Sequence, residues 1–167
     1  MKKSLISTLA ISLLALVLVA VMFFANSNIF AAHASTDNDI MIHVIEHANT
    51  DTVGDMDNGK PAPDALGNVL AFHNPVFDVA DQKQVGHDNG DCVRTVTGKD
   101  GVWECFWTVF LEGGQITVEG PYNTDGTDTV LAITGGTGAY NEARGQMTLH
   151  DHFGDGTQYD FIYELEM

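Results

Sequence analysis

The chain has 167 residues and a formal net charge of −16 at neutral pH. Such an acidic chain opposes binding to nucleic acid or to an anionic membrane, because both carry dense negative charge. The length suits one domain with a sizeable core, and the sequence shows no repeat of the solenoid type.

Residues 1–34 have the pattern of an export signal. Lys2 and Lys3 give a positive start, residues 5–24 are apolar, and Ala32-His33-Ala34 offers a small-x-small cleavage site. We therefore predict a signal peptide over 1–34, a single domain over 35–167, and a secreted or extracytoplasmic protein without membrane contact after cleavage. An uncleaved anchor is the alternative, because about 20 apolar residues can cross a bilayer.

The first predicted strand carries an unusual acid. Ile40–His47 alternates its side chains between two faces, and Glu46 shares a face with Ile42 and Val44. A carboxylate on an apolar face is costly to bury unless it is partnered or protonated. The following residues, 48–66, are rich in Gly, Pro, Asn and Asp, and we predict a long functional connection across one mouth of the fold.

Short strands with turn residues between them account for the remaining chain. Gly98–Gly101 predicts a hairpin turn, Gly120-Pro121 the end of a strand, and Gly135–Gly138 a chain reversal. The predicted strands are Ile40–His47, 67–77, 84–97, Val102–Leu111, 116–118, 130–134, 143–151 and 156–165. Eight short strands favour an all-β fold closed into an antiparallel barrel, which leaves no exposed edge.

The segment Val102–Leu111 is apolar on both faces. Trp103, Cys105 and Trp107 point to one side, and Phe106 points to the other. Because only one face of a barrel strand meets the core, we predict that the outer face meets another subunit.

Two cysteines flank the predicted hairpin turn. Cys92 and Cys105 are placed symmetrically about Gly98 and Lys99, so regular pairing puts them opposite each other. In an exported protein an even pair of cysteines predicts a disulfide, and two free thiols are the alternative.

Three segments resemble a known family. Residues 118–122 (VEGPY), 131–136 (LAITGG) and 140–150 (YNEARGQMTLH) resemble the core of the allene oxide cyclases, and the GGTG and ARG wording resembles the dirigent proteins equally. Both families share one eight-stranded barrel, and the resemblance extends from about 40 to 165. It implies an apolar lumen that holds one small molecule, and a homotrimer.

The resemblance also assigns roles to individual residues. Glu46 corresponds to an acid at the cavity floor that stabilises developing positive charge, and Asn74 to an amide that holds a bound water and an epoxide oxygen. The pocket wall is assigned to Phe72, Cys92, Trp103 and Tyr122. The chain departs from the cyclases at Ala48, where they have a second Asn, and at Gly54-Asp55, where they have Ser-Pro.

These observations predict an exported barrel that binds an apolar, unsaturated small molecule and isomerises it by ring closure. The alternatives are a non-catalytic, dirigent-like protein that steers a reaction started by another enzyme, and a purely structural barrel. We predict no cofactor. His150 and His152 share a strand face, but the remaining histidines lie at no spacing typical of metal ligands, so we predict no metal site.

Overall fold

The structure is a computed structural model that describes residues 40–54 and 64–167. The predicted signal peptide over 1–34 lies outside the described residues, as does the part of the predicted connection from 55 to 63. No helix within the two described ranges is long and apolar enough to cross a membrane.

All regular structure in the described residues is β. The strands are β1 (Ile40–His47), β2 (Thr52–Gly54), β3 (Val69–Phe72), β4 (Pro75–Asp78), β5 (Gln84–Val96), β6 (Val102–Leu111), β7 (Gly114–Asn123), β8 (Thr129–Gly138), β9 (Arg144–Asp151) and β10 (Gln158–Glu166).

The sheet closes on itself, which confirms the predicted barrel. The antiparallel order β5-β4-β1-β10-β9-β8-β7-β6 returns to its start through pairing of β6 with β5. Eight strands therefore form the ring. At this number the interior is filled by side chains or holds one small ligand.

Two walls of the barrel are interrupted at the same level. β3 and β4 both pair with β5, so together they form one strand that breaks at His73-Asn74. β1 pairs with β4 and β2 pairs with β3, so the neighbouring wall is interrupted between His47 and Thr52. We call the end of the barrel that contains β2 and β3 the upper end.

Two predicted strand boundaries are wrong. β7 continues through Pro121, because its pairing with β8 ends at Glu119 and the missing N–H faces no partner strand there. The predicted reversal at Gly135–Gly138 lies inside β8, and the chain turns afterwards at residues 139–143. A Cβ on Gly136 would come within 2.2 Å of the Tyr140 carbonyl oxygen, so this glycine permits close approach of the turn to the strand.

The core occupies the lumen. The inward face of β6 carries Trp103, Cys105 and Trp107, which are buried, whereas Phe106 on the outer face is 46% exposed. Trp107 reaches across the lumen because Gly90 faces it without a side chain; a Cβ there would lie 2.4 Å from the Trp107 Cβ. Other buried members of the cluster are Val76, Val109, Ile116, Val118, Leu131, Met147, Phe161, Tyr163 and Leu165. Each such side chain contributes about 1.5–3 kcal/mol by leaving water.

Candidate functional site

Asn74 replaces the missing backbone pairing at the break in the wall. Its Oδ1 accepts hydrogen bonds from the backbone N–H of Asn49 at 3.0 Å, from that of Thr50 at 2.9 Å, and from the Thr50 hydroxyl at 3.0 Å. Backbone donors near a lumen are expensive to leave unpaired, so the amide stabilises the irregular residues after β1.

The same side chain joins two acids. Its Nδ2 donates to Glu46 and, at 2.7 Å, to Asp51 Oδ1. The Asn74 backbone is clasped to a third acid, since its N–H donates to Asp88 Oδ1 at 3.0 Å and its carbonyl accepts from the Asp88 N–H at 2.8 Å. Three carboxyl groups thus surround one asparagine.

Glu46 is buried, with 3% of its surface exposed, on the inward face of β1. Burial raises the pKa of Glu46 well above its ordinary value, and the charges of Asp88 and Asp51 raise it further, while the hydrogen bond from Asn74 opposes them. These effects favour the protonated, neutral form of Glu46 over the carboxylate that the resemblance implies.

Asp88 is the second buried acid and is fully enclosed on β5. Burial raises the pKa of Asp88 to about 7, although the N–H of Asn74 stabilises the ionised form. Sequence analysis missed this residue. The alternation of β5, with Gly86, Gly90 and Cys92 on the same face, was the signal that could have placed Asp88 inside.

A pocket opens above Glu46. It has a cavity volume of about 40 Å³, enough for roughly two or three water molecules. Apart from Glu46 and Asp51 its lining is mostly apolar, comprising Leu70, Phe72, Cys92, Cys105, Trp107, Tyr122, Leu149, Tyr159 and Phe161. The Trp107 ring lies 5.2 Å from the Phe161 ring and 6.1 Å from the Phe72 ring, measured between centroids.

Two tyrosines meet over this pocket. The hydroxyl groups of Tyr122 on β7 and Tyr159 on β10 are 2.8 Å apart, although two strands separate them in the ring. Burial raises the pKa of both phenols, so both are neutral at physiological pH. One phenol donates to the other, which leaves the second O–H free to donate elsewhere.

The disulfide lies in the pocket wall. Cys92 and Cys105 are directly opposite in the pairing of β5 with β6, and their sulfurs are bonded. The structure therefore contains the predicted bridge, and the free-thiol alternative does not describe it.

The structure brings five of the predicted site residues together and leaves one apart. The pocket is lined by Glu46, Phe72, Cys92 and Tyr122. Asn74 does not line it but donates a hydrogen bond to Glu46. Trp103 instead packs under Arg94, whose guanidinium carbon lies 5.0 Å from the ring centroid. Arg94 also donates to Asp64 at 2.7 Å, so this cluster fastens the chain before β3 to the hairpin between β5 and β6.

His150 on β9 and His152, just after the end of that strand, both bind carboxylates. His150 lies 2.7 Å from Asp128, and Asp160 accepts from His152 at 2.6 Å and from His43 at 2.7 Å. In residues 40–54 and 64–167 no group of three or more His, Cys, Asp or Glu side chains has the arrangement of a metal site.

Comparison with known proteins agrees with this architecture. The family model described as allene oxide cyclase matches residues 37–162. The chain belongs to the allene oxide cyclase family. Membership establishes the barrel and its lumen, and the reaction is a separate question.

Solved structures of several activities resemble this family member. A pyocyanin demethylase is 29% identical with a TM-score of 0.58, and the match covers 74% of this chain and all of that one. A pterocarpan synthase dirigent protein is 18% identical with a TM-score of 0.61, covering 77% of this chain and 94% of that one. A Diels-Alderase from Streptomyces koyangensis is 11% identical with a TM-score of 0.55, covering 81% and 73%. The last two, at such low identity, show the fold alone.

Proposed function

We propose that this barrel binds an apolar, unsaturated small molecule in the upper part of its lumen and isomerises it by ring closure. The observation that carries the proposal is Glu46, a buried acid with a raised pKa at the base of an aromatic pocket. A carboxyl group whose acid form is favoured by burial is suited to proton donation.

The proposed chemistry needs no co-reactant. Glu46 donates its proton to the oxygen of an allene epoxide as the C–O bond breaks, which leaves a positive charge spread over the carbon chain. The new Glu46 carboxylate stabilises that charge. A carbon–carbon bond then closes the ring, and the O–H proton returns to Glu46 as the carbonyl forms.

Asn74 takes a positioning role in this proposal. Both of its amide hydrogens are used, one on Glu46 and one on Asp51. It therefore orients the acid, while the water-mediated contact with a ligand oxygen that the resemblance implies stays a prediction.

Ligand entry requires movement of the pocket wall. An enclosed volume of about 40 Å³ is well below the roughly 150 Å³ that holds a benzene ring in an engineered cavity. The hydroxyl contact between Tyr122 and Tyr159 joins two residues of the pocket wall, and we expect its separation to enlarge the pocket. The aromatic walls then fold the chain so that one closure is favoured.

Export and trimeric assembly complete the proposal. The pattern of residues 1–34 supports export, and the exposed Phe106 on the outer face of β6 supports contact with a second copy. Mass measurement of the purified protein tests both, since cleavage after Ala34 and a mass of three chains are the expected results.

Native mass spectrometry of protein purified from its own source tests the binding part. We expect one small molecule per chain in the wild type, and its loss in Leu70→Trp, which fills the pocket. Val93→Trp is the matched control, because Val93 is exposed on the outer face of β5. A captured molecule that is retained by Leu70→Trp would contradict the pocket, and a molecule that is bound but never converted would favour the dirigent-like alternative.

A further inference from the structure

Glu46 and Asp88 approach the same point of the lumen from two strands. β4 pairs with β1 on one side and with β5 on the other, so these acids flank the end of β4. Asn74, at that end, bonds Glu46 with its side chain and Asp88 with its backbone. One rigid residue therefore fixes the positions of both carboxyl groups.

Each acid has an unused oxygen. Glu46 Oε2 and Asp88 Oδ2 are buried and make no hydrogen bond to any residue that the structure describes. A buried carboxylate oxygen without a partner is strongly unfavourable, and two neighbouring carboxylates repel each other. A proton on one of the acids relieves both costs.

We propose that Glu46 and Asp88 form one acid–base unit, in which Asp88 never touches the ligand but sets the proton affinity of Glu46. Asp88 is a positioning residue in this unit, because it is absent from the pocket lining and acts through Glu46. The inference rests on the proposed function and deepens it, since it names the neighbouring charge that favours the protonated form of the catalytic acid.

The other titratable groups around the pair do not replace Asp88. Asp51 is exposed at the rim and shares the second amide hydrogen of Asn74. His73 is exposed and bonded to Asn89, outside the lumen. The phenols of Tyr122, Tyr159 and Tyr163 have raised pKa values and stay neutral. Among the neighbouring charges that raise the pKa of Glu46, Asp88 is the largest.

Carboxyl carbon NMR of labelled Glu and Asp, without any ligand, tests the unit. In Asp88→Asn we expect the titration midpoint of Glu46 to fall by about one pH unit or more, because a like charge is removed. Asn retains an Oδ1 that accepts from the Asn74 N–H. Asp91→Asn, on the outward face of β5, is the matched control and should leave the midpoint of Glu46 in place.

The reverse variant gives an independent reading. Coupled sites titrate in two shared steps, and Asp88 ionises first, while Glu46 is still neutral. Glu46→Gln should therefore leave the first midpoint of Asp88 near its wild-type value and remove from the Asp88 signal the second step, which reports the ionisation of Glu46. This variant decides the matter even where Asp88→Asn does not fold. An unchanged midpoint of Glu46 in Asp88→Asn, or the same single-step titration of Asp88 in the wild type and in Glu46→Gln, would overturn the unit. Because no ligand is used, that failure is distinct from failure of the proposed turnover.

Discussion

Asn74 donates a hydrogen bond from Nδ2 to Glu46, so the amide that closes a gap in the barrel wall also orients the buried acid. Its Oδ1 satisfies the backbone N–H groups of Asn49 and Thr50 on the other side. The Asn74 side chain thus stabilises the break between β3 and β4 and also orients the acid of the pocket.

Stability is expected to fall as the pH rises from about 4 to about 7. The unfolded chain releases the protons of Glu46 and Asp88 near pH 4, whereas the folded chain retains them, with the pKa of Asp88 at about 7. The unfolded state then binds fewer protons, so the free energy of unfolding decreases with pH. Asp88 alone contributes on the order of 4 kcal/mol to this loss.

Urea unfolding of the wild type and Asp88→Asn at pH 4.5 and pH 7.5 measures this effect. The variant should lose less stability between the two values than the wild type does. Asp91→Asn controls for the change in total charge, and it should lose as much stability between the two pH values as the wild type does. An equal loss of unfolding free energy between pH 4.5 and pH 7.5 in the wild type and in Asp88→Asn would show that the pKa of Asp88 is not raised.

Removal of the disulfide should destabilise the barrel by about 3 kcal/mol. The bridge joins residues 13 apart in sequence, and a loop of that size loses roughly that much unfolded-state entropy when closed. Cys92→Ala/Cys105→Ala, compared with the wild type by urea unfolding, checks the value. A reductant should weaken the wild type and leave the double variant unchanged; equal effects on both would count against the bridge.

The two phenols should act as a pair. Tyr122→Phe and Tyr159→Phe each remove the bond between the hydroxyls, at a cost of about 0.5–1.5 kcal/mol. Because either change removes the same interaction, the double variant should cost clearly less than the sum of the single changes. Thermal unfolding of the four proteins completes the cycle, and strict additivity would mean that the hydroxyls do not interact.

Gly90→Ala should be strongly destabilising. The new methyl group would lie 2.4 Å from the Trp107 Cβ and 2.5 Å from the Phe72 Cζ, and overpacking of this kind costs about 1–3 kcal/mol. Gly54→Ala is the matched control in a strand, since its Cβ would meet the nearest atom at 3.6 Å. Similar midpoints of unfolding for Gly90→Ala and the wild type would argue against the position of Trp107.

The barrel was predictable because strand alternation is a local property. The inward faces of β1 and β6 follow from single residues such as Val44 and Trp107, and the cysteine pairing follows from symmetry about the turn. The run 135–138 misled the prediction, because Gly136 permits close approach of Tyr140 and Gly138 that of Gly113, contacts that spacing does not reveal. The split of 67–77 at Asn74 depends on side-chain bonds to Asn49 and Thr50.

The site was predictable only in part. Glu46 was visible as an acid on an apolar face, but the neighbouring charge that most raises its pKa is that of Asp88, which is distant in sequence and becomes a neighbour only through β4. Tyr159 lies in the predicted strand 156–165, but its contact with Tyr122 requires the closed ring. Trp103 shares the inward face of β6 with Trp107, yet it packs against Arg94 and does not line the pocket.

The most direct test of the central claim is turnover of the captured molecule by the wild type and by Glu46→Gln. Gln keeps the size and the contact with Asn74 but has no acidic proton. The account predicts that Glu46→Gln binds the molecule and closes its ring at least about 100-fold more slowly than the wild type. Ring closure at equal rates in the two proteins would contradict the role of Glu46 as the catalytic acid.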